Sequence, residues 1–143
     1  MSPIDRAILA ERTMALERHL GRVAARLPQA PAELVASTDI SDSVILHLWQ
    51  ATQIVIDLAV ASCVAEELGT PQSYADAFRR LQAAGAIDAP LADRLVRAAG
   101  FRNVVAHAYE QLDMARVFRA ASEGPGDLRG FVAAIARRTT LPE

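Results

Sequence analysis

The stretch VILHLWQATQIVIDLAVASCVA, Val44 to Ala65, most constrains what this chain can fold into. It is apolar nearly all round, which marks a helix covered by several neighbours rather than one lying on a surface. The run is capped upstream by Asp39 or Ser41 and is predicted to continue to about Leu68, where Gly69, Thr70 and Pro71 end it. Its most apolar part, Ile54 to Ala65, is interrupted by Asp57. We read that part as too short and too polar to span a bilayer.

The rest of the chain supplies the neighbours. Ile4, Ile8, Leu9, Ala15, Leu16, Leu20, Val23 and Leu27 recur at helical spacing, with Asp5, Glu11, Glu17, Arg18 and Arg22 on other faces. Pro28 and Pro31 stop this first helix, and Ala30 to Thr38 reads as a loop. Ser73 and Asp76 in SYAD have capping-box-like spacing for a third, shorter helix ending near Gly85. Asp88 before Pro90 starts a fourth helix that carries Leu91, Leu95, Val96 and Ala99. Asp113 caps a last stretch, which GPG at Gly124 to Gly126 is expected to break before Asp127 restarts it. No strand-like alternation or internal repeat occurs. The expected fold is all-α, a helical bundle, with residues 1–143 forming one domain.

Composition narrows the function classes. The chain has 143 residues, enough for a core without disulfides or metal. A formal net charge of −2 gives no global positive field for nucleic acid. All 15 basic residues are arginine, a bias that codon usage explains and that also suits phosphate recognition. The single cysteine, Cys63, excludes an intramolecular disulfide and a cysteine-based zinc site, and reads as a small core residue. The start, MSPIDRAILAERTMALERHLGR, is charged every few residues and does not read as a signal peptide. A cytoplasmic protein with no membrane partner is the expectation.

One segment does not fit a plain core helix. FRNVVAHAYEQLD, Phe101 to Asp113, gathers Arg102, Asn103, His107 and Tyr109. On a helix at about 100° per residue, Asn103 and His107 lie one turn apart, while Arg102 and Tyr109 share another face. Histidine can move protons near neutrality. Arginine can hold a phosphate through two hydrogen bonds, asparagine can orient a ligand, and a tyrosine hydroxyl can be modified. Spacing alone equally allows Arg102 paired with an acid, His107 half-buried and satisfied, and Tyr109 plugging a helix end.

RNVVAHAY resembles the R-x4-H-x-Y signature of the HepT-like branch of the HEPN superfamily: Arg102, four residues, His107, one residue, Tyr109. The central helix with Gln53 and Asp57 in QATQIVIDLA, the segment GTPQSYADAFRRLQAAGAID, FRN before the histidine and LD after the tyrosine are similar to that family as well. The resemblance runs from about Ile40 to Ile135, and the first helix matches in pattern only. It implies a four-helix core with short extra helices that dimerises, bringing two motifs together in a cleft. It implies a metal-independent endoribonuclease without cofactor, the toxin of a type VII toxin–antitoxin pair. The implied antitoxin is a small MNT-type nucleotidyltransferase that transfers AMP to Tyr109.

On that resemblance, Arg102 and His107 are the expected catalytic pair, Asn103 positions substrate, and Tyr109 is the modification site. A runner-up from another class is a catalytically silent HEPN module that binds and regulates a nucleotidyltransferase; a purely structural dimeric bundle is the third. Elsewhere, His47 reads as a hydrogen-bonded core residue, His19 as solvated, and Trp49 as core or interface. Three scattered histidines give no metal site. Asp57, amid Ile54, Val55, Ile56 and Leu58, is costly to bury unpaired and is expected to meet a cation or a helix end.

Overall fold

Each helix begins where a short polar side chain can take up its first free amides. A computed structural model describes residues 4–139; the remainder of the expected domain, residues 1–3 and 140–143, lies outside the described residues. Among the described residues the elements are α1 (Arg6–Arg26), α2 (Asp39–Ala65), α3 (Tyr74–Ala83), α4 (Ala89–His107) and α5 (Met114–Thr139), with short 3-10 turns at Pro31–Glu33 and Tyr109–Gln111 and no strand. Asp5 caps α1, Ser73 caps α3 and Asp88 caps α4 through side-chain oxygens that accept from backbone amides. Asp113 accepts from the Ala115 amide at 2.9 Å and so opens α5. The cap of α2 is Thr38, neither Asp39 nor Ser41; Ser41 sits three residues on and completes a reciprocal capping box with it. The expected loop before it contains the turn at Pro31–Glu33.

The central helix is covered as its composition requires. Val44, Ile45, Leu48, Ala51, Val55, Ile56, Leu58, Ala59 and Cys63 are all buried, and α1, α3, α4 and α5 each pack on α2. Burying each large apolar side chain contributes roughly 1.5–3 kcal/mol, so this helix organises the core. With 27 residues, α2 is long and apolar enough to cross a membrane by length and composition, which corrects the reading of a run too short to do so. Here it is other helices that cover it. Phe78 of α3 and Phe131 of α5 meet edge to face at 5.7 Å in the same core, and the Cys63 thiol lies 3.4 Å from the Ala77 carbonyl, buried as expected.

Cross-helix pairs fix the directions. Leu48 lies beside Gly124, and Glu66 pairs with Arg138, so α2 and α5 run parallel. Arg94 meets Asp127 while Leu91 lies beside Gly130, so α4 runs against α5. Arg6 and Thr139 line one end of the α1–α5 contact and Glu17 meets Arg129 further along, so α1 also runs against α5. The result is an antiparallel four-helix core of α1, α2, α4 and α5, with the short α3 packed on α2 and α4. Gly85, at φ +80°, ends α3: its amide reaches the Gln82 carbonyl at 3.0 Å and the Ala86 amide reaches that of Leu81 at 2.9 Å.

Gly124 to Gly126 does not break the last helix. α5 runs continuously with Pro125 inside it. Val117, Ala121, Leu128, Phe131 and Ile135 are buried in one unbroken helical register that crosses the GPG segment. Their packing offsets the cost of an interior proline, about 3 kcal/mol.

Candidate active site

The end of α4 sits against one stripe of α2. Asp42, Trp49, Gln53 and Asp57 are spaced by seven, four and four residues, and so share a face of that otherwise apolar helix. Arg102 lies across it. Its Nε donates to Gln53 Oε1 at 2.7 Å and its Nη1 to Asn103 Oδ1 at 3.1 Å. The guanidinium stands 5.0 Å from the Trp49 ring centroid and 5.5 Å from that of Tyr74 on α3, close enough for cation–π attraction to both. Gln53 in turn donates through Nε2 to Asp57 Oδ1 at 2.9 Å.

This corrects the expectation for Asp57. Its side chain is exposed, not buried, and its partner is a glutamine amide in place of a cation. The helical register turns position 57 out of the core between buried Ile56 and Leu58. Arg102 reaches it only through Gln53. Among the described residues the hydrogen bonds and ring contacts of Arg102 are all with uncharged groups. A guanidinium carries five N–H donors, and only two are committed.

Asn103 and His107 project one turn apart, as their spacing predicts, and both are exposed, so His107 is not the half-buried histidine that spacing also allowed. His107 is the last residue of α4. Tyr109 departs from its expected place. Ala108 leaves the helix at φ −143°, ψ 41°, and Tyr109 begins a 3-10 turn. It therefore does not share a helix face with Arg102. Its hydroxyl donates to Asp42 Oδ1 at 2.5 Å, in the first turn of α2. Seven residues of α2 separate that contact from Trp49, about 10 Å along the helix. Partial burial, then the hydrogen bond and charge of Asp42, push the phenol up to about 12.

The motif thus occupies an open strip along α2. Arg102, Asn103, His107 and Tyr109 line neither a cleft between α1 and α5 nor one where α4 and α5 meet. No group of three or more His, Cys, Asp and Glu able to hold a metal ion is found among the described residues. Sequence reasoning missed three members of the site. Asp42 and Tyr74 were not singled out, and Trp49 was assigned to core or interface. A polar stripe at helical spacing on α2 was the available signal for Asp42.

Two other histidines behave differently from expectation. His19 is half-buried, not solvated, because α1 brings it to His47 of α2, with Nδ1 to Nδ1 at 3.0 Å. One ring must donate while the other accepts. His47 is hydrogen-bonded as expected, although half-buried.

Residues 16–135, nearly the whole bundle, match the model of the family described as Ribonuclease HepT-like. The chain belongs to the HepT-like ribonuclease family. It is 33% identical over 93 residues to the mRNA nuclease HepT of Shewanella oneidensis, a match covering 65% of this chain and 70% of that one. It is also similar, at 26% identity and a TM-score of 0.85, to a tri-AMPylated Shewanella oneidensis HEPN toxin solved in complex with MNT antitoxin. That likeness covers 93% of this chain and 99% of the toxin. YutE from Bacillus subtilis, a cytosolic protein of unknown function, shares the fold alone, with a TM-score of 0.69 at 18% identity. The family and the all-α fold expected from the motif are borne out together.

Proposed function

We propose that this HepT-like chain is the toxin of a toxin–antitoxin pair, an endoribonuclease acting in the cytoplasm and silenced by an MNT-type nucleotidyltransferase. The observation that carries the reading is the state of Arg102. It is clamped by neutral groups, keeps uncommitted N–H donors, and lies within two helical turns of an exposed His107. That combination suits a phosphodiester. RNA brings its own nucleophile, the ribose 2′-hydroxyl. His107 takes or returns the proton at the 2′- or 5′-oxygen, Arg102 stabilises charge on the phosphoryl oxygens, and Asn103 positions the substrate. The products are a 2′,3′-cyclic phosphate and a 5′-hydroxyl.

The open strip fits a homodimer in which a second copy supplies the facing wall, so that two histidines divide the acid and base roles. Tyr109 is the proposed acceptor of AMP, by analogy with the tri-AMPylated toxin. An attached AMP places bulk and negative charge beside the motif, against an incoming RNA phosphate.

The test is expression of wild type and His107→Ala without the partner, together with cleavage of RNA by the purified chains in EDTA. Growth arrest and EDTA-resistant cleavage by wild type alone are expected. Equal tolerance of both chains would favour the silent module that binds the nucleotidyltransferase, a reading the net charge of −2 supports.

A further inference from the structure

The contact between Tyr109 and Asp42 joins residues 67 positions apart and involves the one atom that modification must alter. We propose that Asp42 is the proton acceptor that readies the Tyr109 hydroxyl for nucleotidyl transfer. The inference rests on the reading of Tyr109 as the modified residue and adds a second group of this chain to that reaction.

Three observations converge on it. The phenol donates directly to Asp42 Oδ1 at 2.5 Å, so the proton to be lost already points at a carboxylate. Tyr109 is 41% exposed, so a transferase can reach the oxygen without unfolding the bundle. Asp42 is held in the first turn of α2, where a carboxylate complements the helix dipole. Two other carboxylates are near in sequence, Asp39 in the same first turn and Glu110 beside the tyrosine. Among the described residues the hydroxyl donates to Asp42 and to neither of these. With the phenol raised to about 12, free phenolate is scarce at neutral pH, so transfer needs a base in place.

The step balances. Tyr109 Oη attacks the α-phosphorus of a nucleoside triphosphate held by the partner. The Oη–P bond forms as the bond from that phosphorus to the bridging oxygen breaks, and pyrophosphate leaves. The proton passes from Oη to Asp42 and then to water.

The experiment follows initial rates of AMP addition by intact mass, with an MNT-type nucleotidyltransferase and ATP, across neutral to alkaline pH. Wild type, Asp42→Asn, Asp42→Glu and Tyr109→Phe are compared. Near neutrality Asp42→Asn is expected to lower kcat about 10²-fold. Its KM for the transferase stays within about twofold of wild type. The Asp42→Asn rate should then climb with pH as the hydroxyl ionises unaided, a profile that a merely structural contact would not produce. Asp42→Glu should restore part of the neutral rate. An Asp42→Asn chain modified as fast as wild type at every pH, or slowed through KM alone, overturns the proposal. Modification of Tyr109→Phe at the wild-type rate overturns instead the assignment of Tyr109, and is seen without reference to Asp42.

Discussion

Arg102 and Arg138 are the same residue type on neighbouring helices, and they answer to opposite partners. Arg138 of α5 makes a forked contact with Glu66, whose side chain is only 8% exposed. Its charge is matched, and the pair ties the end of α5 to the end of α2. Arg102 meets a glutamine oxygen, an asparagine oxygen and two ring faces, none of which cancels its charge. In a chain whose basic residues are all arginine, residue type says little. The partners separate an arginine whose charge is matched within the fold from one whose charge is left unmatched, as the proposed phosphate contact requires.

The comparison can be broken most sharply at its two ends. Arg102→Ala should cut RNA cleavage by about 10²–10³-fold. Its unfolding free energy should fall by no more than about 1 kcal/mol, since only the ring and amide contacts are lost. Arg138→Ala should do the reverse. It strands a buried carboxylate, which costs about 3 kcal/mol and lowers Tm by roughly 10 °C. Cleavage per folded molecule should stay unchanged. Thermal melts beside gel-based cleavage assays decide both, and a large Tm loss in Arg102→Ala would erase the distinction.

A finer test removes the neutral clamp. Gln53→Leu leaves the Arg102 Nε donor without its acceptor and should reduce cleavage about tenfold through misplacement of the guanidinium. The expected signature is a fall in kcat with little change in Tm.

Protonation tests a second contact between helices. His19 is held below its ordinary range by burial, then by His47, Arg22 and Arg18; His47 by burial, then by Arg22 and Arg26. With both folded pKa values depressed, the unfolded chain takes up protons first. The contribution of the pair is therefore complete above the ordinary histidine range of about 6.5 and is lost as pH falls below it. Calorimetry from about pH 7.5 to about pH 5.5 should show a Tm decrease of roughly 3 °C beyond that of a His19→Leu/His47→Leu chain. The smallest effect belongs to the exposed Arg129–Glu17 fork, whose side chains are about half exposed. A double-mutant cycle there should return less than about 1 kcal/mol.

How far the fold was legible depended on whether the signal was local. Caps at Ser73, Asp88 and Asp113 and the apolar period of α2 are written in neighbouring residues, and the helices follow them, whereas Asp5, assigned to a face of the first helix, caps it instead. The GPG segment misled because proline chemistry was weighed above the register of Val117, Ala121, Leu128 and Phe131, which was equally visible. The end of α4 at His107 carries no glycine or proline, so the displacement of Tyr109 into a 3-10 turn had no local marker. Asp42 as its acceptor and His19 as the partner of His47 depend on how two helices slide against each other, which spacing within either helix does not encode. The candidate site could be read as a list of reactive groups, and the contacts among them could not.

The stripe on α2 makes that helix a measuring rod. Asp42 receives the tyrosine, while Trp49 and Gln53 receive the arginine, all on one rigid element. Deleting a single residue between Asp42 and Trp49 would turn one mark about 100° from the others and draw it about 1.5 Å closer. The tyrosine would lose its acceptor while the arginine kept both of its own. A change of its length within that interval would uncouple Arg102 from Tyr109, and so, on the proposed function, the charge that meets the phosphate from the residue that is modified.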